Sequence, residues 1–224
     1  METRIPIKDV RLAFCGASGS GKSTMAKYIA QTMGLKYTEN SAGLLLTEAQ
    51  QKYLVDKYGW TKSGHRDVIR LSNINPGFAW DFQEQLLKTR AEFIWNNSGF
   101  VIDRSPVDNL TYFLLQTAHL TSELNCDFFH SKVTDAMKPI THVIFLPTLN
   151  KDVEDNGSRI SNWYYQMMVT AVFKHTITNY FTPNLSLDFA YLEYTTWDLE
   201  TRKREIINWL LQTIDHPVLV PSYK

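Results

Sequence analysis

The chain has 224 residues, and 23 lysines and arginines balance 23 aspartates and glutamates, so its formal net charge is zero. Ten glycines, eight prolines and 44% hydrophobic residues exclude a disordered or fibrous chain and predict one globular domain over residues 1–224. No window is apolar enough for a membrane span, residues 1–6 lack a signal-peptide pattern, and two cysteines cannot form a disulfide framework. We therefore expect a cytoplasmic protein with no membrane partner.

A glycine-rich loop follows the first β-like segment, residues 10–15. Residues 16–23 read GASGSGKS, the G-x-x-x-x-G-K-S pattern, and a helical pattern continues to a stop at Gly34. Glycines let the N–H groups of such a loop turn inward towards phosphate oxygens, and the helix N-terminus adds positive potential. Lys22 is expected to reach the β- and γ-phosphates, and the Ser23 hydroxyl to ligate Mg²⁺. The predicted nucleoside triphosphate site consists of Gly16, Ala17, Ser18, Gly19, Ser20, Gly21, Lys22, Ser23 and Thr24.

Four more β-like segments alternate with helical patterns along the rest of the chain. The segments are residues 35–38, 99–102, 142–146 and 189–193, and the helical patterns include residues 81–95, 161–177 and 199–214. Such alternation predicts an α/β fold with a parallel sheet of five strands between two layers of helices. Residues 40–80 are the least regular, and we expect an acceptor-binding insertion over about residues 40–98.

An aspartate ends the apolar segment at residues 100–102. Asp103 in this position has the form of a Walker B carboxylate, which would hold Mg²⁺ or orient an acceptor. The alternative is that Asp103 caps the next helix, but Ser105 followed by Pro106 already fits that cap. The neighbouring Arg104 offers a planar guanidinium suited to phosphoryl oxygens.

The loop alone does not separate kinases from GTPases and motor ATPases. A GTPase would carry N-K-x-D after a late strand, but Asn150-Lys151-Asp152 is followed by Val153 instead of the required acid. A motor ATPase normally adds a helical lid domain, for which this chain is short. A kinase is the better prediction.

Residues 101–108, VIDRSPVD, resemble the D-R-S segment of thymidylate and deoxynucleoside kinases. They are closer still to the D-R-[ST]-P-x-D form of small, often phage-encoded, P-loop kinase-like ATPases, whose relatives include bacterial ribosylnicotinamide kinases. Residues 37–42, YTENSA, are similar to the E-x-x-A segment of that group, and residues 153–159, VEDNGSR, to its D-[DN]-G-x-R segment. The resemblance covers about residues 10–180. It implies the P-loop NTPase fold with a mobile lid at about residues 150–161.

The same resemblance implies roles for four residues. Glu39 would be a base or orienter for the acceptor, Gln83 would face the acceptor base, Arg104 would bind acceptor phosphate, and Arg159 would be the lid arginine. Each has a plain structural alternative: a helix-start acid for Glu39, a helix-surface residue for Gln83, and a surface ion pair with Asp155 for Arg159.

Two further arginines, Arg66 and Arg70, are four residues apart and would share a helix face near the acceptor region. They would either clamp a monophosphate or form an ordinary solvated face. The aromatic residues Trp60, Phe78, Trp80 and Phe82 could stack a nucleobase, although aromatics at this density more often form core.

The sequence thus predicts a kinase that depends on ATP and Mg²⁺ and phosphorylates a nucleotide-like acceptor. The leading candidate for the acceptor is a deoxynucleoside monophosphate. The alternatives are a nucleoside, the hydroxymethyl group of 5-hydroxymethyluracil in DNA, or an ATP-binding regulatory ATPase that transfers nothing. The zero net charge disfavours DNA as the acceptor, although 13% aromatic residues would allow a base to stack. Exposed aromatic residues also leave a homodimer open. The location would be the host cytoplasm if a phage encodes the protein.

Overall fold

The computed structural model describes residues 4–39, 45–61, 65–148, 160, 162–181, 189–195 and 198–215. The strands in these ranges are β1 Ile5–Pro6, β2 Arg11–Cys15, β3 Lys36–Thr38, β4 Phe100–Ile102, β5 His142–Phe145, β6 Ala190–Glu193 and β7 Ile214–Asp215. The helices are α1 Lys22–Met33, α2 Glu48–Tyr58, α3 His65–Ile74, α4 Pro76–Asn96, α5 Pro106–Thr117, α6 Glu123–Met137, α7 Trp163–Thr176 and α8 Leu199–Thr213.

Five strands form the predicted parallel sheet in the order β3-β4-β2-β5-β6. β1 and β7 form a separate parallel pair that joins the two ends of the described chain. The chain moves from β2 to one side of the sheet for β3 and β4, and then crosses to the other side for β5 and β6. Parallel sheets of this kind bind ligands beyond the carboxyl ends of the strands, where the direction of winding reverses.

Helices cover both faces of the sheet, because successive side chains of a strand point to opposite faces. Leu12 and Phe14 of β2 are fully buried in one core that contains residues of α1 and α8. Ala13 and Cys15 belong to a second core, which contains residues of α4, α5, α6 and α7. The three-layer α/β/α prediction is confirmed.

The described residues between β3 and β4 are mostly helical, although the sequence of residues 40–80 appeared irregular. α2, α3 and the first half of α4 surround a third core that includes Leu54, Trp60 and Phe82. The sequence pattern concealed α2 because Leu54 is its single buried residue. Trp60 packs edge-on against Phe82, so these aromatics serve as core.

Two helix ends differ from the sequence prediction. α4 begins at Pro76 instead of Asp81, because Asn75 caps it and a proline at the first helical position lacks only an N–H that would be unpaired there. α7 begins after Asn162 instead of Ser161, and the Asn162 side chain accepts from the Tyr165 N–H at 3.0 Å. α5 begins as predicted, with Ser105 as its N-cap.

Within the described ranges, no helix has the length and hydropathy needed to cross a bilayer. Most of the predicted lid, including Arg159, lies outside the described residues.

Candidate active site

The glycine-rich loop connects β2 to α1 with backbone conformations that glycine favours. Gly16, Gly19 and Gly21 have φ values of +137°, +82° and +88°. A Cβ on Gly16 would lie 2.2 Å from the Leu146 carbonyl oxygen, and one on Gly21 would lie 3.2 Å from Arg202 Nη1. The loop therefore requires small residues both for its turns and for its close packing against the segment after β5.

Lys22 is buried within the loop, with 6% of its surface exposed. Its Nζ donates to the Ala17 carbonyl at 2.6 Å and to Ser20 Oγ at 3.3 Å. Burial, followed by the nearby charge of Arg104, lowers the pKa of Lys22 to about 8. A buried ammonium in such a loop is suited to phosphate oxygens, which would stabilise its charge.

Ser23 and Asp103 come together although 80 residues separate them in the chain. Ser23 Oγ donates to Asp103 Oδ2 at 2.8 Å, and the Tyr37 hydroxyl donates to the same oxygen at 3.1 Å. These hard oxygen atoms suit Mg²⁺. Among the described residues no three His, Cys, Asp or Glu side chains form a metal cluster.

Arg104 follows Asp103 and places a second cation beside Lys22. Its Nη1 donates to Asp108 Oδ1 at 3.4 Å, and its guanidinium lies 5.9 Å from the centre of the Tyr112 ring. Asp108 is 1% exposed. Burial raises its pKa, although the charges of Arg104 and Lys22 oppose the rise. The residues around the start of α5 thus add an arginine and a paired carboxylate beside Lys22.

A buried amide network lies between α4 and α5. Arg90 donates to the Ser105 carbonyl at 3.1 Å and also to Asn109 Oδ1. Asn109 Nδ2 in turn donates to Gln83 Oε1 at 3.1 Å and to the Gln83 carbonyl at 3.3 Å. Since a guanidinium has only donors, it fixes which way the Asn109 amide points, and Asn109 then fixes Gln83. Gln83 is 4% exposed, so it is not the helix-surface residue of the alternative interpretation.

The remaining predicted site residues occupy different positions. Glu39 follows β3 and is exposed, at the same carboxyl edge of the sheet as Asp103 and the loop. Arg66 and Arg70 are exposed on α3, and Arg70 Nη2 lies 2.7 Å from Asp67 Oδ1. Asp67 also accepts from the Thr61 N–H, so Arg70 is tied to the junction between α2 and α3.

Sequence reasoning assigned no function to Tyr37, Arg90, Asn109 or Arg202. Arg202 is 7% exposed and donates from α8 to the Ser20 carbonyl at 3.0 Å, which supports the loop from behind. These residues match no short motif, because each contributes through a contact between distant parts of the chain. Arg90, Asn109 and Arg202 had only their polar character as a signal, in helices that also supply core, and Tyr37 had only its place in the β-like segment at residues 35–38.

Comparison with known proteins adds evidence on the fold. No protein-family model matches the chain, and no curated protein matches it by sequence. Deoxyadenosine kinase from M. mycoides with bound dATP aligns with a TM-score of 0.58 at 13% identity, over 90% of this chain and 99% of that chain. Its structure with bound dCTP aligns with a TM-score of 0.56 at 14% identity, over 90% and 98% of the two chains.

Thymidylate kinase from Candida albicans aligns with a TM-score of 0.54 at 16% identity, over 90% of each chain. At such identities a structural likeness is evidence of a shared fold and leaves the substrate open. The chain has the three-layer fold of the small P-loop nucleoside and nucleotide kinases.

Proposed function

We propose that this protein is an ATP- and Mg²⁺-dependent phosphotransferase with a nucleotide-like acceptor. The first candidate for the acceptor is a deoxynucleoside monophosphate. The observation that carries the proposal is the joining of Ser23 to Asp103 at 2.8 Å beside a loop that contains Lys22. Phosphoryl transfer depends mainly on positioning and on stabilising negative charge, and this arrangement supplies both. ATP would occupy the loop of residues 16–24.

Each site residue has a defined task in this proposal. The loop N–H groups and Lys22 bind the β- and γ-phosphates. Ser23 and Asp103 hold Mg²⁺, which would offset the charge on the transferring group. Arg104 binds acceptor phosphate, and Arg159 closes over the transferring group from the lid at about residues 150–161.

The acceptor would lie in the region of about residues 40–98. Gln83 faces the acceptor base, and Glu39 orients the acceptor at the edge of the sheet. Arg66 and Arg70 would reach an acceptor phosphate, for which Arg70 must leave Asp67. A deoxynucleoside is the second candidate, because the fold is shared with both deoxyadenosine kinase and thymidylate kinase.

The experiment is ADP release from Mg·ATP against a panel of acceptors. The panel contains each deoxynucleoside monophosphate, each deoxynucleoside, and DNA with and without 5-hydroxymethyluracil. Stimulation by one acceptor identifies a kinase and its substrate together. A slow rate that no acceptor changes would contradict the proposal and favour a regulatory ATPase.

Matched variants separate the site from the rest of the protein. Lys22→Ala should abolish transfer, whereas Lys88→Ala, on the exposed side of α4, should leave it unchanged. Asp103→Asn should lower turnover far more than ATP affinity. Arg159→Ala should lower the rate without lowering Tm. Wild-type activity in Lys22→Ala would rule out the assignment of the loop.

A further inference from the structure

Tyr37 connects the first edge strand of the sheet to the Walker B carboxylate. It lies in β3 opposite Val101 of β4, and its partly buried ring packs against the core that contains residues of α1. From there its hydroxyl donates to Asp103 Oδ2 at 3.1 Å. Lys27 Nζ lies 5.5 Å from the centre of the Tyr37 ring, which adds a contact from α1. The ring is thus held by strand and helix, with its hydroxyl directed at Asp103.

Two hydroxyl groups converge on one oxygen of Asp103. Ser23 donates to Oδ2 from α1 at 2.8 Å, and Tyr37 donates to it from β3. Two donors from different elements fix the position of that oxygen. Because a carboxylate is planar, its other oxygen is then also fixed in direction. Ser23 has its own role beside the nucleotide and is exposed on its helix, whereas Tyr37 is half-buried and cannot move as freely.

We propose that Tyr37 is a positioning residue that orients Asp103 towards the metal ion of the ATP site. This inference rests on the proposed function, in which Ser23 and Asp103 hold Mg²⁺. Groups that hydrogen-bond a metal-binding carboxylate set its direction, and their removal commonly weakens metal binding about 10- to 100-fold. Tyr37 also lies two residues before Glu39, so the same strand would support the metal side and the acceptor side of the site.

The test is the binding of Mn²⁺, a paramagnetic probe for the Mg²⁺ site, to the protein with ADP, measured by electron paramagnetic resonance. Tyr37→Phe removes the hydroxyl but keeps the ring, its packing and its contact with Lys27. We expect Mn²⁺ affinity to fall about tenfold. Tyr28→Phe is the matched control, because the Tyr28 ring on α1 also lies under a lysine, 5.0 Å from Lys203 Nζ. It should bind Mn²⁺ as the wild type does.

A purely structural role for Tyr37 would lower Tm and leave Mn²⁺ affinity unchanged, and that result would overturn the inference. A double-mutant cycle with Asp103→Asn supplies the second measurement. If Tyr37 acts through Asp103, its removal should have little further effect on Mn²⁺ binding in the Asp103→Asn protein. A full tenfold loss in both backgrounds would show that Tyr37 acts by another route.

The outcomes also distinguish this inference from the proposed function. If the wild-type protein binds no Mn²⁺ with ADP, the proposed function itself is contradicted. If the wild type binds Mn²⁺ and releases ADP with an acceptor, but Tyr37→Phe binds Mn²⁺ equally well, only the role of Tyr37 is contradicted.

Discussion

Gly16→Ala tests whether the glycine-rich loop of residues 16–23 requires glycine at its first position for steric reasons. Gly16 follows β2 with φ +137°, and an added Cβ would lie 2.2 Å from the Leu146 carbonyl oxygen. Leu146 cannot easily move away, because its N–H donates to the Cys15 carbonyl at 3.0 Å. The overlap involves backbone on both sides, so no side-chain rotation relieves it. The loop or the end of β5 must shift.

The expected cost follows from two separate contributions. A non-glycine residue in a sparsely populated backbone region costs about 1–3 kcal/mol. Overpacking at a fixed contact costs about 1–3 kcal/mol more. Gly16→Ala should therefore lower the free energy of unfolding by about 2–6 kcal/mol. Gly34→Ala is the matched control, because Gly34 also has positive φ, at +67°, but no heavy atom lies within 4 Å of its added Cβ. Its cost should be about 1–2 kcal/mol.

Urea unfolding followed by circular dichroism measures both costs in free energy of unfolding. Calorimetric titration measures the affinity of each variant for ATP. We expect Gly16→Ala to lose ATP binding and Gly34→Ala to keep it. The reasoning would be refuted if both variants lost the same free energy and bound ATP equally well, because the contact with Leu146 would then have no consequence.

Three further predictions concern pH and the amide network. Burial lowers the pKa of Lys22 to about 8, and bound phosphate should raise that pKa again. ATP binding at about pH 9 should therefore take up a proton. The affinity for ATP should fall as the pH rises above about 8. Calorimetry in two buffers of different ionisation enthalpy checks this, and identical heats would contradict it. Burial lowers the pKa of His142 to about 4 from an ordinary 6.5. The contribution of the neutral ring to the free energy of unfolding is therefore complete above pH 6.5 and is lost as the pH falls towards 4. His142→Gln should remove about 3 kcal/mol of acid sensitivity in urea unfolding, and unchanged sensitivity would exclude His142 as its source. Asn109→Leu removes the donor that orients Gln83, so it should raise the acceptor KM several-fold and leave the ATP KM unchanged in steady-state kinetics. An equal rise in both constants would contradict this.

Several features were predictable because their causes are local in the chain. The glycine spacing of residues 16–23 specifies a turn followed by a helix, and the structure has that turn and α1 in place. The five β-like segments became the five strands of the main sheet. The signal was strongest for β2, β4 and β5, because parallel strands covered on both faces have nearly continuous apolar runs. The cap at Ser105 followed from the proline and the acid after it.

Other features depend on contacts that no local pattern encodes. The start of α4 lies at Pro76 because Asn75 caps it, whereas the apolar pattern becomes regular only further along the helix. α2 lacked a clear apolar stripe, because most of its side chains face away from the small core around Leu54. In both cases packing and capping decided the element where periodicity was weak.

The sequence by itself determined the glycine-rich turn before α1, the alternation of strands and helices, and the position of Asp103 at the end of an apolar strand. These follow from short-range backbone geometry and hydrophobic pattern. Only the tertiary structure decided that Ser23 and Tyr37 meet at Asp103 and that Asn109 holds Gln83. The physical reason is strand order: β4 lies between β2 and β3, so their carboxyl ends bring together side chains far apart in the chain.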